Sequence, residues 1–163
     1  MGRVTLRLQR VSDAKRFYNI LTNDCFTYFA RPKSLEAQKR YLRKNARWRR
    51  ENHRHNFTIL YDEKVVGGCG IKIDAHRRHI GEAGYFVDER YWGKGIATQA
   101  LRLLEEIGFR TLGLVRLEIA TNPKNTASIH VARKRGFKKE GLLRKKLHCR
   151  GRYEDALIFG KTR

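Results

Sequence analysis

Val4, Leu6 and Leu8 alternate with Arg3, Thr5, Arg7 and Gln9 at the head of the chain, and a period of two predicts a half-buried strand. Ser12 and Asp13 then offer N-cap side chains for a helix to about Leu21. After Pro32 the pattern changes again and predicts a second helix from Ser34 to about Asn52. Its Leu35, Leu42 and Ala46 form one apolar stripe, with Tyr41 and Trp48 almost opposite. A helix apolar on two sides is sandwiched or flanks a cleft.

From Asn56 the texture becomes that of strands. FTILY, a polar turn at Asp62 to Lys64, and VVGGCGIKI read as a hairpin, and HIGEAGYFVD follows as a third strand. A glycine-bearing turn leads into a helix whose Ala100, Leu101, Leu104 and Gly108 share one face. LVRLEIATN gives another strand, and Asn125 to Arg135 a helix closed by Gly136. GLLRKKLHC and Tyr153 to Gly160 finish as a strand pair around Arg150-Gly151. The order predicts a mixed α/β (α+β) fold, with a largely antiparallel sheet of about seven strands and about four helices. At 163 residues with two prolines and no low-complexity run, the chain is read as one domain spanning 1–163.

Charge changes the picture. There are 37 Lys plus Arg against 16 Asp plus Glu, a net +21 that attracts polyanions such as nucleic acid or a phosphorylated ligand. Lys39, Arg40, Arg43, Arg47 and Arg50 gather on one face of the second predicted helix, with Arg54 continuing it if the helix extends. That face is read either as solvated surface or as a site for RNA or ribosome association. Cys25, Cys69 and Cys149 are scattered and show no zinc spacing, so neither a disulfide framework nor a metal site is expected. No stretch of 18 apolar residues occurs. No membrane association and a cytoplasmic location are therefore expected.

The candidate chemistry lies at RYWGKGIATQAL, where Gly93 and Gly95 flank Lys94 just before a helix. Free backbone N–H groups and the positive end of the helix dipole make such a turn a phosphate cradle. A Walker A loop needs glycine at Asp88 and Ser or Thr at Gly95, and the Rossmann pattern breaks at Thr98. What remains is an acyl-coenzyme A turn.

YFVDERYWGKGIATQAL, then NTASIHVARKRGFKKEGLLR, then GRYEDALIFG together resemble the GNAT superfamily of N-acetyltransferases. More narrowly they resemble its branch of ribosomal-protein N-terminal acetyltransferases of the Rim type and related small-amine acetylators. The resemblance implies acetyl-CoA as cosubstrate, its pyrophosphate held by Gly93, Lys94, Gly95, Ile96, Ala97 and Thr98. Two registers of the superfamily's turn fit, one opening on Trp92 and one on Arg90. It further implies that Tyr85, Phe86 and Val87 line the pantetheine arm, with Asn125 and Ser128 opposite. Asn125 also suits a simple N-cap.

By the same resemblance Glu82 is the candidate base that deprotonates the amine through water, although a cross-strand ion pair explains a mid-strand glutamate equally. Many superfamily members place a tyrosine acid seven residues after the helix asparagine, where this chain has Ala132. Ser128 is the replacement that the Rim-type branch suggests, with a bound water as the rival. The acceptor implied is a protein N-terminus, with a small amine (antibiotic or metabolite) as the alternative. A nucleic-acid-binding module that has lost turnover is the reading from another class. Monomer and homodimer are equally open.

Overall fold

The computed structural model describes residues 2–163. Seven strands form one sheet: β1 (Val4–Leu8), β2 (Arg54–Tyr61), β3 (Lys64–Ile73), β4 (Ile80–Val87), β5 (Arg116–Thr121), β6 (Lys138–Cys149) and β7 (Arg152–Thr162). Their order is β1-β2-β3-β4-β5-β7-β6, and only β4 and β5 run parallel. The helices are α1 (Ala14–Leu21), α2 (Leu35–Arg43), α3 (Asn45–Arg50), α4 (Ile96–Glu106) and α5 (Thr126–Lys134). The two-residue turns follow their local chemistry. Asp62-Glu63 and Arg150-Gly151 both take positive φ, as tight hairpins require.

The main core lies between one face of the sheet and α4. Ile71, Ile73, Leu117 and Phe159 from strands meet Ile96, Ala100, Leu101 and Leu104, all almost fully buried. The predicted apolar face of α4 is therefore the one that packs. On the opposite face α1 and α2 bury Ala14, Phe17 and Leu42, with Phe86 packed against them. Phe86 meets Phe17, Phe26 and Phe29 edge-on, at 5.3, 6.5 and 5.8 Å between centroids. Such T-shaped contacts align ring edge to ring face and fix the Phe86 ring.

The second predicted helix is two pieces. Lys44 donates its N–H to the Tyr41 carbonyl, three residues back, and the ladder is interrupted there. The cause is Asn45, whose side chain is drawn inward: it donates to Gln9 Oε1 at 3.0 Å and accepts from Asn56 at 2.9 Å. Ala46 is consequently exposed and does not continue the Leu35–Leu42 stripe. Arg54 does not extend the basic helix either, because it opens β2.

Candidate active site

β4 and β5 pair only at Ile80–Arg116, Gly81–Leu117 and Glu82–Glu118. Beyond Glu82 the strands part, and the gap is a cleft of about 1360 Å³. Phe86 and Gly84 point their backbone groups at β3, since Asp88, on the same alternation, donates its N–H to Val66. Tyr85 and Val87 therefore turn theirs toward the gap. Trp92 Nε1 donates to the Val87 carbonyl at 2.7 Å, which leaves the Tyr85 groups and the Val87 N–H as the open part of that edge.

At the end of the gap stands the glycine turn. Gly93 and Gly95 have φ of 75° and 71°, in the left-handed region, and a Cβ on either would meet nothing within 4 Å. Gly95 caps α4 without a side-chain partner for the first turn. The N–H groups of Ile96, Ala97 and Thr98 thus start the helix uncapped beside open space, as a bound anion requires. Gly93, Gly95, Ile96, Ala97 and Thr98 all line the cleft. Lys94 departs from expectation: its ammonium sits 5.2 Å from the Tyr91 ring and 5.9 Å from that of Tyr61, and its side chain is not in the cleft wall. Arg90 is also occupied. Its guanidinium and that of Arg16 both bind the buried Asp88 carboxylate, so Arg90 lies outside the wall. Burial raises the Asp88 carboxyl, but these two arginines outweigh it and hold the group well below the usual carboxylate range.

The facing wall is α5. Asn125 accepts the Ser128 N–H at 3.1 Å, so it is the N-cap of the helix and a lining residue at once. Ser128 Oγ lies 3.1 Å from the Tyr85 hydroxyl, across the gap. Burial pushes the Tyr85 phenol above its ordinary value near 10, while the Ser128 bond pulls part of the way back. Ala132, at the position of the superfamily tyrosine, is wholly buried. The tyrosine that meets Ser128 stands on β4, a pairing across 43 residues that neither motif announces. Lys124, Arg133 and Lys134 also line the cleft and were not singled out from sequence.

On the other side of β4 is a second pocket, of about 500 Å³, between the sheet and α1–α2. Its floor is opened by Gly68, Gly70 and Gly84, and a Cβ on Gly84 would touch nothing within 4 Å. The pocket and the cleft share Phe29, Glu82, Gly84, Tyr85 and Phe86. Glu82 is exposed at this junction and makes no ion pair among the described residues. Its cross-strand neighbours are Lys72 and Glu118, and Glu118 is taken by Arg116 at 2.8 Å.

Residues 3–138 match the family model described as Acetyltransferase (GNAT) domain. The chain belongs to the GNAT family of N-acetyltransferases. It is 36% identical over 111 residues to the uncharacterized N-acetyltransferase p20 of Bacillus licheniformis, covering 67% of this chain and 62% of that one. To the spermidine N(1)-acetyltransferase of Escherichia coli (strain K12) it is 37% identical over 101 residues, 62% of this chain and 54% of the relative. The chain thus spans less than two thirds of the length of either curated relative.

Among solved structures it is similar to Mycobacterium smegmatis RimJ in complex with CoA-disulfide, with TM-score 0.90 and 27% identity over 99% of this chain and 82% of that one. It is also similar to the ribosomal-protein-S5-alanine acetyltransferase of Vibrio fischeri, with TM-score 0.85 and 25% identity over 99% and 96%. For this GNAT domain, the cleft between the parted strands and its bare glycine turn suit a CoA-type ligand, long and phosphate-bearing.

Proposed function

We propose that this chain, a single domain over 1–163, transfers the acetyl group of acetyl-CoA to a primary amine, the N-terminal α-amine of a protein. The observation that carries the reading is the meeting of two cavities at Glu82, Gly84, Tyr85 and Phe86. One is long and ends at an anion-binding turn; the other is short and opens on the opposite face of β4. A donor and an acceptor entering from the two sides meet at one strand.

Acetyl-CoA supplies an activated thioester. The backbone N–H groups from Gly93 to Thr98 hold its pyrophosphate, and the open edge at Tyr85 together with Asn125 and Ser128 receives its arm. Glu82 accepts the amine proton through water, because its carboxylate is exposed at the junction and is locked in no ion pair among the described residues. Tyr85, protonated through neutral pH and hydrogen-bonded to Ser128, carries the proton for the departing sulfur. This reading places Ser128 as the partner that orients the acid.

An α-amine has a pKa near 8, so about a tenth is already neutral at pH 7, whereas a lysine near 10.4 is far less prepared. A single exposed carboxylate is a sufficient base for the first. The S5-alanine acetyltransferase supports the protein acceptor, and the spermidine enzyme is the relative that favours a small amine.

The test is the rate of acetyl transfer to an α-amine peptide by Glu82→Gln and the parent enzyme between pH 6.5 and 9.5. The variant is expected to lose at least tenfold at pH 7 and to recover most of it at high pH, where the amine is neutral without help. An equal loss at both ends of the range assigns Glu82 to structure.

A further inference from the structure

Three side chains of the smaller pocket stand in one row. Arg54 on β2 is in register with Lys72 on β3, and Lys72 with Glu82 on β4. Paired residues project to the same face, and adjacent strands lie about 4.8 Å apart. Lys72 therefore stands one strand spacing from Glu82, and Arg54 two, on the floor of the same pocket.

Neither Lys72 nor Arg54 makes an ion pair among the described residues. Lys72 makes no ion pair or hydrogen bond through its side chain among the described residues. Arg54 is half-buried, and its Nη1 donates to Tyr41 Oη at 2.7 Å while its guanidinium lies 5.3 Å from the Trp48 ring. Its Nε is buried and has no hydrogen-bond partner among the described residues. Taking a guanidinium out of water without an anion is costly, and a buried donor left unpaired adds to that cost. The third cation lining the pocket, Arg31, is engaged by Asp24 at 3.1 Å.

Tyr41 extends the pattern. Its oxygen accepts from Arg54 and from Asn56 Nδ2 at 3.4 Å, so its own proton is left for another acceptor. The pocket thus offers one carboxylate at the junction with the cleft and, along the row, Lys72 ammonium, Arg54 guanidinium and Tyr41 hydroxyl.

We infer that Arg54 and Lys72 form a carboxylate-binding subsite that selects acceptors bearing an anionic group roughly one to two strand spacings, about 5–10 Å, from the reacting amine. The inference rests on the reading of this pocket as the acceptor site. An extended peptide advances about 3.4 Å per residue, so an Asp or Glu at the second or third position brings its carboxylate to the row. A small ω-amino carboxylic acid of the same span presents the same chemistry. A polyamine presents a second cation where the row is already positive.

The measurement is kcat/KM for matched acceptors: peptides beginning Ser-Glu, Ser-Gln and Ser-Lys, 6-aminohexanoate, and spermidine. The parent enzyme is expected to favour Ser-Glu over Ser-Gln by at least tenfold, with Ser-Lys and spermidine poorest. The Glu-to-Gln ratio should fall below about threefold in Arg54→Gln and in the exposed Lys72→Gln, and recover in part in Arg54→Lys. The relative rate of 6-aminohexanoate separates a small acid from a peptide.

Calorimetric binding of N-acetylated Ser-Glu and Ser-Gln peptides, which cannot turn over, runs alongside. If no amine is acetylated but the acidic peptide binds more tightly in an Arg54-dependent way, the subsite stands and the transfer reading falls. If the parent enzyme shows no acidic preference in rate or binding, or the preference persists in both neutral variants, the subsite is overturned.

Discussion

In the proposed reaction, Tyr85 and Ser128 decide where the leaving group finds its proton. A phenol pushed upward by burial stays protonated across neutral pH and gives its proton only to a strong base. A thiolate, whose thiol ionises at about 8.5, is a weaker base than this phenoxide, so what the phenol contributes is a hydrogen bond to the negative charge developing on sulfur. Replacing Tyr85 by Phe keeps the ring and removes the proton, and is expected to lower kcat by ten- to a hundredfold, at the low end of general-acid effects, with the KM for acetyl-CoA changed less than threefold. Ser128→Ala should cost less, since it removes only the partner. Stopped-flow or steady-state rates on the two variants check this, and a larger loss in Ser128→Ala moves the acid to the serine. The sequence pointed to Ser128 because the helix carries Ala132 where a tyrosine is usual. It did not point to Tyr85 as acid, because the contact joins β4 to α5 and exists only once the strands part.

At the scale of elements, the turn before α4 was legible because its requirements are local. Two glycines at positive φ and an uncapped helix start need no knowledge of distant residues. Gly95→Asp tests the element directly: it strains a left-handed position and sets a negative charge among the donors proposed to hold pyrophosphate. Acetyl-CoA affinity by calorimetry should fall at least tenfold, or about 1.4 kcal/mol. Unchanged affinity in a folded variant takes the turn out of the site. The direction of Lys94 was not legible, since it lies over two rings, the nearby Tyr91 and Tyr61 from far back in the chain, that only the fold brings together.

The break between α2 and α3 escaped the pattern for a related reason. Asn45 reads as an ordinary helix-surface residue until Gln9 and Asn56 are placed beneath it. Arg54 suffered most. In sequence it continues a basic helix face, whereas the fold puts it at the start of β2 and on the pocket floor.

Across the whole molecule the succession of elements, the two hairpins and the α4 packing face follow from periodicity and turn residues, whereas the parallel pairing of β4 with β5 and the place of β7 between β5 and β6 do not. Nor does the parting of β4 and β5 follow. It depends on pairing that stops after Glu82, which no local pattern encodes. Net charge acts at this scale too. Arg40, Arg43 and Arg50 are exposed and have no carboxylate partner among the described residues, so with +21 overall the protein attracts polyanions. That attraction weakens with salt, and short peptides at moderate ionic strength report on the pocket instead of the surface.

Under those conditions one measurement bears most directly on acetyl transfer to an N-terminal amine. The enzyme is incubated with isotopically labelled acetyl-CoA and a peptide carrying a free N-terminal serine and an internal lysine, with spermidine competing, and the labelled site is mapped by mass spectrometry. Label confined to the α-amine, with Glu82→Gln much slower at pH 7, is the predicted result. Label on spermidine alone, or on no amine while acetyl-CoA still binds, contradicts it.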